Sequence, residues 1–86
     1  MPKITVYTTP YCPYCIAAKT LLRRKHAQFD EIDVSGDPEG RRHMTEKAHG
    51  RRTVPQIFIN DTHVGGSDDL HELERQGRLD SLLASG

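Results

Sequence analysis

The repeat of apolar residues changes from a strand period to a helix period between residues 8 and 13. Residues 3–8 (KITVYT) alternate, with Ile4 and Val6 on one face, which is typical of a β-strand. From Pro13 onward, apolar residues recur at helical spacing on a single face, which predicts an amphipathic helix. The residues on that face are Cys15, Ala18, Leu21 and Leu22, and the other, solvent face carries Lys19, Arg23, Arg24 and Lys25. A strand that leads directly into such a helix predicts the first part of a βαβ unit.

A second strand pattern completes this unit. The segment 29–34 (FDEIDV) places Ile32 and Val34 in alternation. Because the intervening helix is long enough for a crossover, we predict that the two strands are parallel. Asp37, which a proline follows, predicts the cap of a second helix, and Gly50 is expected to close that helix at the C′ position.

The remaining residues predict a hairpin and two further helices. Gln56–Asn60 is typical of a buried strand, Asn60-Asp61 of a turn and Thr62–Gly65 of a returning strand. Ser67 is expected to cap a third helix that ends before Gly77. A short last helix follows, and the two helices together carry the apolar residues Leu70, Leu73, Leu79, Leu82 and Leu83.

The length and charge of the chain limit its function classes. With 86 residues, we expect a single domain (1–86) with a thin core and a site near its surface. Twelve basic residues balance twelve acidic ones, which gives no reason to expect a nucleic acid or an anionic membrane as a partner. Residues 1–11 do not form the pattern of a secretion signal, and no segment matches a membrane span. We therefore expect a cytoplasmic monomer.

The two cysteines form a C-x-x-C motif at the turn between the first strand and the first helix. Such a motif is either a redox pair or half of a zinc site, and zinc needs two further ligands at workable spacing. The later histidine pairs stand six residues apart (His43, His49) and eight apart (His63, His71), which does not match the partner of a zinc finger. The redox alternative is favoured, and no metal is expected.

Three sequence blocks resemble the glutaredoxin branch of the thioredoxin fold, and the resemblance covers nearly the whole chain. They are Cys12-Pro13-Tyr14-Cys15, Thr53-Val54-Pro55-Gln56-Ile57-Phe58-Ile59 and Gly65-Gly66-Ser67-Asp68-Asp69-Leu70. The resemblance implies an α/β, thioredoxin-like fold, in which a four-stranded mixed sheet has helices on both faces. The element order is β-α-β-α-β-β-α with a short C-terminal helix.

The position of each cysteine suggests its role. Only a thiolate attacks a disulfide, and Cys12 falls at the predicted N-cap, where the helix dipole and the amides of Tyr14 and Cys15 favour a negative sulfur. Cys15 lies on the apolar face of the helix in phase with Ala18. We therefore expect Cys12 to attack first and Cys15 to resolve the intermediate, which leaves a redox-active disulfide between the two. Pro13 suits the first helical position.

The resemblance further implies that glutathione is the co-substrate. Val54-Pro55 matches the family's cis-proline turn, where an extended substrate pairs with the Val54 backbone. The N-terminus of the third helix suits a carboxylate, and Asp68 suits the ammonium of the same ligand. The expected glutathione contacts are Thr53, Val54, Pro55, Gly66, Ser67 and Asp68, and Tyr14 is expected to border the groove.

The chain departs from the family ahead of Cys12. Many glutaredoxins carry a lysine there, which stabilises the thiolate and contacts a glutathione carboxylate, whereas this chain has Thr8-Thr9-Pro10-Tyr11. Arg42 and Arg51 are candidates to replace that cation by position. The alternative for each arginine is a solvated surface charge.

Three functions are compatible with these motifs. The first is a glutathione-dependent oxidoreductase that acts on disulfide-containing and glutathionylated proteins. The second is a thioredoxin-like reductase that a flavoenzyme recharges. The third is an iron–sulfur scaffold shared by two chains through Cys12 and glutathione, which Pro13 and Cys15 disfavour because family members with that role tend to have C-G-F-S.

Overall fold

The computed structural model describes residues 2–84, which form a mixed sheet and helices in the predicted order. The strands are β1 (Ile4–Thr8), β2 (Asp30–Asp33), β3 (Gln56–Ile59) and β4 (Thr62–Gly65). The helices are α1 (Pro13–Arg24), α2 (Pro38–Lys47), α3 (Ser67–Arg75) and α4 (Leu79–Ala84). Within the described residues, no helix is both long and apolar enough to cross a membrane.

The strands lie in the order β2-β1-β3-β4. β1 is parallel to β2, which confirms the predicted crossover, and it is antiparallel to β3. The β3–β4 hairpin turns through Asn60 and Asp61, whose φ angles of 50° and 67° are those of a type I′ turn. The four-stranded mixed sheet that the resemblance implied is therefore confirmed.

Helices cover both faces of this sheet because side chains alternate along β1 and β3. The inward residues of one face pack with α1, α3 and α4, and those of the other face pack with α2. The first cluster contains Ile4, Val6, Ala18, Leu21, Leu22, Ile57, Ile59, Leu70 and Leu79. The second contains Tyr7, Val34, Met44, Ala48 and Phe58. Both clusters end beside the turn between β1 and α1.

One prediction of detail is wrong, in α2, and β2 is more exposed than its pattern suggests. Ile32 alternates with the buried Val34 but is 38% exposed, since β2 is an edge strand of the sheet. Gly50 does not occupy the C′ position of α2. His49 does, with φ of 57°, and Gly50 follows it and donates its N–H to the Thr45 carbonyl at 2.9 Å.

Candidate active site

Cys12 is the N-cap residue of α1, as the sequence predicted. Its backbone is extended, and its Sγ accepts a hydrogen bond from the N–H of Cys15 at 3.1 Å. Of the two amides expected to reach this sulfur, the structure records the bond from Cys15. Pro13 occupies the first turn, where a missing N–H costs no helical bond. A half-buried thiol thus lies where the helix dipole favours negative charge.

Cys15 lies three residues further on, and its environment is different. Its side chain is 1% exposed and faces the same side of α1 as Ala18 and Leu22. Burial, with the hydrogen bond to Cys12 as the second cause, raises the pKa of the Cys15 thiol to about 11. Cys15 therefore keeps its proton at neutral pH in the reduced protein.

The Val54-Pro55 peptide bond is cis and lies beside Cys12. The Cys12 Sγ is 3.9 Å from the Val54 carbonyl oxygen. Thr53 precedes this turn. The buried Gln56 fixes it, because its Nε2 donates a hydrogen bond to the Thr53 carbonyl oxygen at 2.9 Å. The Cys12 sulfur therefore lies against the backbone of the cis-proline turn.

Gln56 is itself fixed by His63, a link that the sequence analysis missed. The His63 Nε2 is 2.7 Å from the Gln56 Oε1. Burial and the nearby Arg51 and His49 lower the pKa of His63, so a neutral ring donates its Nε2–H to the amide oxygen. The available signal was a glutamine at the start of an otherwise apolar strand, because a buried amide needs partners.

A groove of about 310 Å³ opens beside the cysteines and brings most of the predicted site residues together. Its walls come from α1, from the turn before β3 and from the start of α3. The lining residues are Tyr14, Arg51, Thr53, Val54, Pro55, Gly66, Ser67 and Asp68. Tyr14 is 65% exposed, which agrees with its predicted place at the border of the groove.

The start of α3 differs from the prediction that Ser67 is its cap. Gly66 is the N-cap, and Ser67 is the first helical residue, with its Oγ 3.3 Å from the Nδ1 of His71. The Asp69 carboxylate instead reaches back and accepts the Gly66 N–H at 2.9 Å. The sequence favoured serine because its hydroxyl oxygen is a common cap. Gly66 has no side chain to cap the helix, and the side-chain hydrogen bond at this end comes from Asp69, three residues later.

The two arginines proposed to replace the upstream lysine have different positions. Arg51 lines the groove, and its Nη1 is 2.9 Å from the Asp69 Oδ2. Together with the Gly66 amide, this guanidinium holds the pKa of the Asp69 carboxyl below its usual range. Arg42 lies outside the groove lining, on the exposed surface of α2, where it pairs with Glu39 and Glu46.

Two other features bear on the location of the site. A larger open hollow of about 680 Å³ lies between residues 2–4 and residues 23–31, and no cysteine or histidine is among its lining residues. Within residues 2–84, no three His, Cys, Asp or Glu side chains cluster as metal ligands do. The groove beside Val54 is therefore the better candidate site, because the Cys12 Sγ lies 3.9 Å from the carbonyl oxygen of that lining residue.

A C-x-x-C pair at a helix N-terminus, beside a cis-proline turn and on a mixed four-stranded sheet, defines a thioredoxin-like protein with a dithiol site. The glutaredoxin family model matches residues 4–64. The glutaredoxin of Pseudomonas aeruginosa is 58% identical over 85 residues, which cover 99% of this chain and 100% of that protein. The chain therefore belongs to the glutaredoxin family and is a thiol–disulfide oxidoreductase.

Solved structures agree with this assignment. The solution structure of glutaredoxin from Brucella melitensis matches with a TM-score of 0.88 and 57% identity, over 100% of this chain and 92% of that chain. A buckwheat glutaredoxin–glutathione complex matches with a TM-score of 0.84 and 31% identity, over 95% of this chain and 76% of that chain. Both confirm the thioredoxin-like fold.

Proposed function

We propose that this chain reduces glutathione mixed disulfides and protein disulfides, with glutathione as its co-substrate. Cys12 is the nucleophile and Cys15 the resolving thiol. The observation that carries this proposal is the Cys12 Sγ at the start of α1, hydrogen-bonded to the Cys15 amide and 3.9 Å from the carbonyl oxygen of Val54, which lines the groove. Disulfide-containing and glutathionylated proteins are the proposed partners, and the cytoplasm is the proposed location.

In the first step, the Cys12 thiolate attacks the glutathione sulfur of a mixed disulfide. A bond forms between Cys12 and glutathione, while the substrate protein leaves as a thiolate and takes a proton from water. A second glutathione thiolate then attacks the bound glutathione sulfur. Glutathione disulfide leaves, and Cys12 returns to its thiolate form.

For a protein disulfide, the second step uses the chain's own thiol. Cys12 attacks one substrate sulfur and releases the other. Cys15 then loses its proton to water and attacks the Cys12 sulfur, so the substrate leaves as a dithiol and the Cys12–Cys15 disulfide remains. Two glutathione molecules reduce that disulfide and are oxidised to glutathione disulfide.

The groove supplies a complementary set of groups for glutathione. We propose that the γ-glutamyl carboxylate binds the amides at the start of α3, at Ser67 and Asp68, where the helix dipole favours an anion. The exposed Asp68 carboxylate takes the neighbouring ammonium. The Val54 backbone pairs with the cysteinyl residue of glutathione. The buckwheat relative, whose structure is a complex with glutathione, supports this ligand.

The test is reduction of a glutathione mixed disulfide by wild type, Cys12→Ser and Cys15→Ser, coupled to glutathione reductase and NADPH. Cys12→Ser is expected to be inactive, because it removes the nucleophile. Cys15→Ser is expected to keep this reaction and to lose dithiol reduction of protein disulfides. Full activity in Cys12→Ser contradicts the mechanism.

Two further measurements separate the alternatives. If a thioredoxin reductase with NADPH reduces the oxidised protein and glutathione does not, the chain is a flavoenzyme-dependent reductase. Visible absorbance in freshly purified protein indicates an iron–sulfur scaffold.

A further inference from the structure

Lys19 lies one helical turn after Cys15 and does not extend into solvent as a surface lysine does. Residues four apart on a helix are neighbours on one face, with about 5–6 Å between their Cβ atoms. The Lys19 side chain is 18% exposed, and its Nζ is 2.7 Å from the Oε2 of Glu31 on β2. The sequence had placed this cation on the solvent face of α1, but the ion pair holds it against the sheet.

Glu31 is in turn fixed from the opposite side. Its Oε2 accepts a hydrogen bond from the Thr8 Oγ1 at 2.8 Å, and Thr8 is only 2% exposed at the end of β1. The backbone of the next residue, Thr9, makes a hydrogen bond with Cys15. One network therefore joins the end of β1, β2 and α1 around the buried thiol.

We propose that Lys19, held by Glu31 and Thr8, is a positioning residue for the resolving step, in which its ammonium stabilises the Cys15 thiolate as that sulfur attacks Cys12. This inference rests on the dithiol mechanism proposed above. Lys19 acts through Cys15 and has no part in the first attack by Cys12.

The charges around Cys15 explain why this step needs a cation. In the reduced protein, burial and Cys12 both oppose loss of the Cys15 proton, while the Thr9 backbone, and after it the Lys19 charge, favour it. When Cys12 carries a mixed disulfide, its sulfur has no charge, so burial is left as the main opposing cause, and Lys19 is the charged group that helps the Thr9 backbone to offset it. In the resolving step the Cys15 proton goes to water, the Cys15–Cys12 bond forms, and the bond between Cys12 and the substrate breaks, so the substrate leaves as a thiolate that takes a proton from water.

Glu31 is not suited to be the base for this step. Its carboxylate receives hydrogen bonds from both Lys19 and Thr8, and Arg23 is a further nearby cation. These groups lower the pKa of Glu31, and the hydrogen bond from Lys19 has the largest effect. The carboxylate therefore binds protons weakly. Its role is to hold the lysine, whose charge then acts at a fixed position.

The first test titrates Cys15 by alkylation in a Cys12→Ser background, which requires no enzymatic activity. Lys19→Met keeps most of the side-chain stem and is expected to raise the midpoint of alkylation by about half to one pH unit, equivalent to a three- to tenfold lower thiolate fraction. Lys19→Arg, which keeps the charge, is expected to restore it. An unchanged midpoint in Lys19→Met overturns the proposal, whatever the outcome of the activity assays.

Lys25→Met is the matched control. Lys25 also lies at α1 and is about equally exposed, with its Nζ 2.7 Å from Glu74 and 3.0 Å from Asp80, but it is at the opposite end of the helix from the cysteines. We expect it to leave the Cys15 midpoint unchanged. An equal shift in Lys25→Met assigns the effect to general destabilisation and overturns the specific role of Lys19.

The second test measures release of substrate thiol from the mixed disulfide on Cys12 by rapid mixing. Lys19→Met is expected to slow this release about three- to tenfold near neutral pH, with less slowing as the pH rises. The effect is expected to disappear in the Cys15→Ser background when glutathione performs the release. Equal slowing in both backgrounds shows that Lys19 acts on the mixed disulfide itself and not through Cys15, which contradicts the proposal.

Discussion

Helices α1 and α2 begin in the same way, but only the start of α1 belongs to the candidate active site. At α1, the Cys12 sulfur accepts the N–H of Cys15 at 3.1 Å, and at α2 the Asp37 carboxylate accepts the N–H of Gly40 at 3.0 Å. In both, a proline follows the cap directly. The local arrangement at α2 stabilises a helix, whereas the same arrangement at α1 also places the thiol of the proposed nucleophile at a helix N-terminus.

The surroundings of the two caps account for this difference. Cys12 lies beside the cis-proline turn, 3.9 Å from the carbonyl oxygen of the groove residue Val54, and the third residue of its helix is a second, buried thiol. Asp37 is exposed, and the third residue of its helix is Gly40, which has no side chain. A helix start therefore becomes a reactive site only where tertiary contacts add a resolving group and a place for the substrate.

The largest expected effect is on activity, when the N-cap residue of α1 is replaced by aspartate, the N-cap residue of α2. Cys12→Asp keeps an acceptor for the Cys15 amide but removes the sulfur, so activity should fall by at least about a thousandfold. The free energy of unfolding of the reduced protein should change by less than about 1 kcal/mol. Turnover and chemical denaturation measure the two quantities, and Cys12→Ala, which lacks any acceptor, is the control for the capping bond.

A smaller effect is expected at Cys15, the third residue of α1, because the third residue of α2, Gly40, has no side chain to titrate. Because the folded protein keeps a Cys15 proton that the unfolded chain gives up, the raised pKa stabilises the fold below about pH 9, and this stability is lost as the pH rises to about 11. Relative to Cys15→Ala, the reduced wild type should lose on the order of 2 kcal/mol over this window. Chemical denaturation at several pH values measures this loss. If the free energies of unfolding of wild type and Cys15→Ala changed equally with pH, burial would not be raising the pKa of Cys15.

The smallest effect is expected when a thiol is placed at the second cap. In a Cys12→Ser and Cys15→Ala background, Asp37→Cys should react with iodoacetamide about two- to fivefold faster at pH 7 than Glu46→Cys, because Glu46 lies near the other end of α2. Neither variant should reduce disulfides, since the groove is elsewhere. Turnover by Asp37→Cys would show that a helix start alone is sufficient for the reaction.

The sequence predicted those features whose cause is local. A capping residue followed by a proline located the starts of α1 and α2, and Asn60-Asp61 located the hairpin turn. The side of α1 that carries Cys15 followed from its periodicity. In each case, a few neighbouring residues determine the backbone, so the pattern contains the necessary information.

Features that depend on distant contacts were not predicted. Ser67 was expected to cap α3, yet Asp69 makes the bond to Gly66 while also pairing with Arg51, which is eighteen residues away. Lys19 was assigned to solvent because its partner, Glu31, lies on another strand. Both errors concern charged side chains whose partners only the folded chain brings close.

In the proposed mechanism, Cys12 alternates between a thiolate and a disulfide, and its capping role then couples the stability of α1 to the redox state of the protein. A thiolate accepts the Cys15 amide more strongly than a sulfur in a disulfide does, because the disulfide sulfur carries no charge. Each oxidation therefore weakens the first bond of the helix, and each reduction restores it. A difference of about 1.4 kcal/mol between the two states corresponds to about 30 mV in the reduction potential. One backbone N–H thus contributes to the electron affinity of the whole protein.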